Sequence, residues 1–280
     1  MTEGSAPSHY PIPRSAEIGA ELAKIDALKE EIERAKVAHA HLWPNVLEKL
    51  KVLWTSDSNA IEGSSLSFGD TKFFLETGLT VEGKPLKDFL DARNHHDAIA
   101  VLFELVREQR PISEGALKEL NALLLRGVAS VPSVNSLGQR VDKPIAPGAY
   151  KRQPNSVLQA DGTIHRYLDP VLVPEHMARL VGWIGAEAKD IHAALAAAMA
   201  HYEFVRIHPF DDGNGRGARI LMNLILISRS YPPCVVRRED RALYLETLRI
   251  ADNSDAAPFA RFILRSLRST LETMATDFQA

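Results

Sequence analysis

Apolar residues in this chain recur mostly at steps of three and four, the spacing that lines one face of a helix. Ile18, Leu22, Ile25, Leu28 and Ile32 alternate those steps and predict a first helix with a single apolar stripe. The stripe covers only about two heptads, so it is expected to pack on the body of the protein and not to form a coiled coil. A second helix is expected after Pro44, through Val46, Leu47, Leu50 and Leu53, ending near Gly63, a residue suited to a left-handed C-terminal cap. Further helical patterns cover 70–76, 85–107, 113–125, 174–188, 191–207, 216–230, 238–251 and 258–273. One segment, 156–167, reads as strand: Asp161-Gly162 is a hairpin turn signal flanked by Val157, Leu158 and Ile164. The stretch 128–154 is rich in Pro, Gly, Ser and Asn and reads as loop, and the proline-rich residues 1–14 read as a mobile tail. The predicted fold is all-α, a helical bundle with one β-hairpin. It divides into the tail 1–14, an N-terminal helical region 15–110 and a core 111–275.

Composition changes this picture little. The chain has 280 residues, 45% hydrophobic and 25% charged, as an ordinary globular protein has. A net charge of -3 gives no basic face for a nucleic-acid backbone, so no nucleic-acid partner is expected. Cys234 is the single cysteine, which excludes an internal disulfide and a thiolate zinc site and fits a reducing compartment. The N-terminus has no apolar core of the signal-peptide kind. The longest apolar runs, 193–200 and 221–227, are too short to span a bilayer. The expectation is a soluble, cytoplasmic protein with no membrane partner.

Candidate chemistry concentrates in His208-Pro209-Phe210-Asp211-Asp212-Gly213-Asn214-Gly215-Arg216-Gly217-Ala218-Arg219. The preceding helix must stop at His208, because a residue before proline is pushed out of the α region. Gly213, Asn214 and Gly215 tolerate positive φ, so their backbone N–H groups can converge into an anion-binding nest. The helix that follows adds unpaired donors and a positive dipole end. Arg216 and Arg219 are three apart and leave its first turn on about the same side, with guanidinium forks suited to phosphate oxygens. Asp212 beside bound phosphates suits Mg²⁺, which takes few protein ligands. His208 has a side chain suited to taking a proton from a hydroxyl near neutral pH. Base, metal, cradle and clamp together describe attack on a phosphorus atom. A Gly-Asn-Gly turn or a histidine before proline is common alone; the combination points to a polyphosphate.

The segment resembles the signature of the Fic (filamentation induced by cAMP) family, HxFx(D/E)GNGRxxR, at every fixed position, and the likeness extends from about Trp54 to Leu267. The resemblance implies an all-α core and a reaction in which a target hydroxyl displaces pyrophosphate from ATP, leaving AMP on Ser, Thr or Tyr. It implies His208 as base, Asp212 on Mg²⁺, Gly213, Asn214 and Gly215 as anion cradle, and Arg216 and Arg219 on the phosphates. A second segment, Ser58-Asn59-Ala60-Ile61-Glu62-Gly63, is by itself a capped helix end with a solvated glutamate. It resembles the family's inhibitory motif (S/T)xxxE(G/N), here Ser58, Glu62 and Gly63. The likeness implies that Glu62 pairs with Arg219 and takes the space of the γ-phosphate, the class with an N-terminal brake.

Downstream, 240–245 resembles a family stretch in which paired tyrosines contact adenine. Tyr244 is kept, Leu245 replaces the second, and Asp252 falls where asparagine is often found. The 156–167 hairpin corresponds to the family's flap, which aligns an unknown protein target by adding it as a strand. A homodimer is compatible with this resemblance. His201 reads as a packed structural histidine. His95-His96-Asp97 does not read as a metal site, since adjacent helical residues point apart. Arg237-Arg238 reads as a solvated helix entry offset by Glu239 and Asp240. Beside autoinhibited adenylyl transfer stand two alternatives. One is removal of AMP, or use of another nucleotide, at the same site. The other is a nucleotide-binding regulatory module with little catalysis.

Overall fold

The computed structural model describes residues 10–134, 140–158, 164–253 and 255–279. Among them are ten α-helices: α1 (Ala16–Ala38), α2 (Trp43–Ile61), α3 (Phe68–Thr77), α4 (Leu86–Arg107), α5 (Glu114–Leu124), α6 (Val173–Gly185), α7 (Ala193–Ile207), α8 (Asn214–Ser228), α9 (Arg241–Asp252) and α10 (Ala257–Asp277). The helical spacings in the sequence therefore translate into helices, with boundaries set by caps. Ser15, Ser67 and Ser113 each accept a hydrogen bond from the first turn of α1, α3 and α5, and Ser67 with Asp70 completes a capping box. The pattern over 174–188 breaks at Gly185, and its end becomes the 3₁₀ turn Glu187–Asp190.

The bundle is organised around α7 and α8, the pair in most extensive contact. Residues 193–200 of α7 include six alanines. Such small side chains let α6, α8, α9 and α10 pack directly on its backbone, and 193–204 are all buried. α1 lays Ile18, Ile25 and Ile32, spaced by seven, against α10. It packs on the body, as its short stripe predicts. Tyr10 belongs to the stretch expected to be a tail, yet it is buried and meets the Trp183 ring edge-on at 5.2 Å. The proline signal was outweighed by an aromatic side chain with a core partner. Residues 1–9 of that stretch lie outside the described residues.

Two antiparallel ladders are present where one was expected. β3 (Ser156–Leu158) pairs with β4 (Ile164–Arg166) as the turn signal predicts, and the Asp161-Gly162 turn itself lies outside the described residues. In addition, β1 (Ser130–Val134) pairs with β2 (Arg140–Pro144) inside the stretch read as loop. Proline argues against a central strand, but a two-stranded ladder is all edge, where a missing N–H can be tolerated. No helix among the described residues is long and apolar enough to cross a membrane.

Candidate active site

The loop between α7 and α8 carries the site. His208 closes α7 in the left-handed region, φ 50°, in keeping with the proline that follows. Gly213 is left-handed too, φ 76°, and caps α8. The expected nest of three positive-φ residues is reduced to this one, because Asn214 and Gly215 are already helical. Asn214 instead braces the loop. Its buried side chain accepts from Phe210 N and donates to Phe210 O, both at 2.9 Å. The donors this loop offers are consequently the N–H groups at the start of α8 itself, an arrangement suited to an anion.

Residues that sequence reasoning missed hold this loop in place. Asn121 on α5 donates to the Asp212 carbonyl at 3.0 Å and accepts from Gly148 N at 2.9 Å. Asn155 donates to the Phe210 carbonyl at 2.9 Å, and Lys143 on β2 reaches Asp211 at 2.8 Å. Phe210 and Tyr150 form an isolated antiparallel bridge, beside which Lys151 N donates to Pro209 O at 2.9 Å. Partners 55 to 91 residues away in sequence leave no local pattern to find.

His208 is covered by Tyr167, whose ring stacks on the imidazole with centroids 3.6 Å apart and planes 16° apart. Burial, then the buried Lys151 ammonium, push the His208 pKa down to about 3, against a smaller opposing pull from the Val205 backbone. His208 is thus neutral at physiological pH, the form a base needs. Lys151 is itself held down at about 8, first by burial and then by Lys143. Tyr167 carries no motif signal beyond its place at the end of the hairpin.

The two arginines leave α8 for different partners. Arg219, fully buried, donates from Nε to Ser58 Oγ at 2.9 Å, and from Nη2 to Ser58 O at 2.9 Å and Glu62 Oε1 at 2.7 Å. Burial lowers its pKa, but the Glu62 carboxylate and Tyr244 more than restore the charge, so the net shift is upward. Glu62 lies directly over the α8 N-terminus: a Cβ placed on Gly215 would meet its carboxylate, which would have to swing aside. Gly63, φ 99°, ends α2 behind Glu62. The Ser58 and Glu62 pattern therefore meets Arg219 as the resemblance implies, across 157 to 161 residues.

Arg216, also buried, gives Nη1 to Asp91 Oδ1 on α4 at 2.8 Å and brings Nη2 to 3.6 Å from Asp212 Oδ2. The Asp212 carboxylate is 38% exposed and makes no closer ion pair among the described residues. An accessible carboxylate beside a helix N-terminus fits a hydrated divalent cation held by one protein ligand.

Tyr244 and Arg237 sit in other surroundings than expected, His201 and His95 in the expected ones. Tyr244 is not an open wall for a base. It is 2% exposed, its hydroxyl lies 3.4 Å from Arg219 Nη1 and 3.1 Å from His201 Nε2, and its ring packs among Phe259 and Phe262. Helical spacing cannot tell a core tyrosine from a binding one. His201 is the packed histidine expected. His95 is a core group as well, edge-on to Trp54 with Nδ1 3.3 Å from Thr55 Oγ1. Arg237 is not simply solvated: its Nε lies 2.8 Å from the buried Asp57 carboxylate, one residue before Ser58. Burial, only partly countered by Arg237, raises the Asp57 pKa to about 6.

The fold is that of the Fic class. Residues 111–226 match the Fic/DOC family, so the chain carries a Fic domain. It is 31% identical over 221 residues to the protein adenylyltransferase Fic of Culex quinquefasciatus, covering 77% of this chain and 40% of that one. It is 27% identical over 254 residues to protein adenylyltransferase fic-1 of Caenorhabditis elegans, covering 90% of this chain and 46% of that one. The chain thus spans less than half the length of these curated relatives. A Fic domain containing signaling protein from Bacteroides thetaiotaomicron superposes with a TM-score of 0.74 at 28% identity, covering 94% of this chain and 97% of that one.

Proposed function

We propose that this protein is an adenylyltransferase that moves AMP from ATP to a hydroxyl of a protein target and is restrained by its own Glu62. The observation that carries the reading is the convergence of His208, the Gly213–Gly215 turn and Arg219 at one helix N-terminus, with Glu62 on Arg219 above Gly215. The names of the curated relatives support it.

In this reaction the target hydroxyl oxygen forms a bond to the α-phosphorus and the bond to pyrophosphate breaks. The hydroxyl proton passes to His208, kept neutral by its surroundings. The α8 N-terminus and the two guanidinium groups bind and orient the phosphates. Asp212 would hold Mg²⁺, which supplies charge neutralisation to the phosphates when bound. The target segment adds as a strand to the β3–β4 hairpin, whose end carries Tyr167 onto the base. Glu62 opposes all this by occupying the anion cradle and tying up Arg219. The setting is read as the reducing cytoplasm, with Cys234 a buried free thiol.

Transfer of α-labelled ATP with Mg²⁺ tests the reading in wild type, Glu62→Gly, and Glu62→Gly combined with His208→Ala. Label should rise in the single variant and vanish in the double. Wild-type activity equal to that of Glu62→Gly would sink the brake, and undiminished labelling without His208 would sink the base. Loss of turnover in Glu62→Gly would favour removal of AMP with Glu62 positioning water.

A further inference from the structure

Asp91 lies outside both motifs, in the N-terminal helical region, and outside the segment that matches the Fic/DOC family. Its side chain is nevertheless 7% exposed and engaged in the site. One carboxylate oxygen, Oδ1, holds Arg216 Nη1, and the other, Oδ2, takes the Lys87 ammonium from one helical turn before. The Asp91 backbone carbonyl accepts from Asn59 of α2 at 3.4 Å. α4 packs on α8, so the carboxylate is delivered to the guanidinium by a helix–helix contact and not by a loop.

The consequence for Arg216 is geometric. Its side chain is 5% exposed, so solvent does not orient it. Its nearest other carboxylate is Asp212, 3.6 Å from Nη2. With Nη1 fixed on Asp91, Nη2 stays in a loose ion pair with Asp212, 3.6 Å away and beyond hydrogen-bond distance, and Nε keeps no protein partner among the described residues. Without Asp91 the unbalanced buried cation would collapse onto Asp212, since a buried charge seeks the nearest opposite one. That would withdraw the arginine from an anion at the α8 N-terminus and take up the carboxylate needed for the cation.

We infer that Asp91 is a positioning residue for nucleotide binding: it aims Arg216 at the polyphosphate and keeps Asp212 free for the divalent cation. The N-terminal region then both restrains the site, through Glu62, and completes it, through Asp91. This rests on the phosphate-binding reading of the cradle given above.

The test uses the full chain in the Glu62→Gly background, with Asp91→Asn, Asp91→Glu, Arg216→Ala and the Asp91→Asn/Arg216→Ala pair. ATP binding is measured by calorimetry with and without Mg²⁺, and KM and kcat for label transfer are measured alongside. Asp91→Asn should weaken ATP binding and raise KM by about tenfold, the effect of losing the negative charge beside a buried guanidinium while an amide oxygen remains. Asp91→Glu keeps the buried charge and protects the fold while moving the fork by one methylene, so it should lose about threefold. In the Arg216→Ala background Asp91→Asn should cost nothing more, because it acts through that arginine. A purely structural role would lower melting temperature and active fraction without moving KM or the calorimetric affinity. Unchanged affinity in Asp91→Asn, or an equal loss with and without Arg216, would overturn the inference. Absence of label transfer in every variant, with ATP binding still dependent on Asp91, would sink adenylyl transfer and leave the inference standing. Absence of ATP binding in the Glu62→Gly parent would sink both.

Discussion

Replacing Glu62 by glutamine separates charge from bulk in the proposed brake. The amide keeps the size of the side chain over Gly215 and one oxygen for Arg219 Nη2, now 2.7 Å from Oε1. What it removes is the negative charge beside a guanidinium that is 2% exposed. Hydrogen bonds to charged groups are worth about 1.5–3 kcal/mol and neutral ones about 0.5–1.5. The Glu62 side chain is 42% exposed, which screens the pair and puts the difference at the low end, about 1 kcal/mol. At about 1.4 kcal/mol per factor of ten, that is about fivefold in the population released from the brake. Initial rates of α-labelled AMP transfer, at ATP below KM and excess Mg²⁺, should therefore place Glu62→Gln about fivefold above wild type. Glu62→Gly, which removes the obstruction as well, should stand higher still. Wild-type rates in Glu62→Gln beside clear activation in Glu62→Gly would refute the charge argument and leave bulk over the cradle as the whole of the brake. Rates in Glu62→Gln equal to those in Glu62→Gly would refute any contribution from bulk.

Two further outcomes follow from the loop. Tyr167→Ala exposes His208, the proposed base, so its pKa should climb from about 3 toward the usual histidine range near 6.5, read by NMR titration of the imidazole. The sign gives an observable: the neutral base is present above its pKa, so an acid limb of kcat/KM should move up to about pH 6 in the variant. An unshifted titration would show that Tyr167 does not dehydrate the base. Asn214→Ala strands the buried N–H of Phe210, whose C=O keeps Asn155, and should cost about 2 kcal/mol in denaturant unfolding. A loss below about 1 kcal/mol would remove Asn214 from the forces that hold the loop.

Much of the site was legible because its parts are local. His208 to Arg219 occupy one loop and the first turns of α8, and proline, glycine and helix-end chemistry act within a few residues. The same holds for Ser58, Glu62 and Gly63, which share one helix end. Periodicity likewise outlined the helices, since a stripe of apolar residues is a property of one segment. Where local signals competed with packing they failed: proline and serine concealed the β1–β2 ladder, and the proline-rich start concealed the burial of Tyr10.

What the sequence by itself determined, then, is the set of helices, the chemical identity of the loop, and the presence of a glutamate placed to reach an arginine. Only the tertiary structure decided which partner each buried group received. Arg216 went to Asp91 of α4 and Arg219 to Ser58 and Glu62 of α2, while Tyr244 turned inward and Tyr167 came to rest on His208. The physical reason is that a buried guanidinium or amide must find its counterpart wherever helix packing brings one, often more than a hundred residues away. No spacing along the chain encodes that choice, because it is made by surfaces that meet only after the bundle has formed.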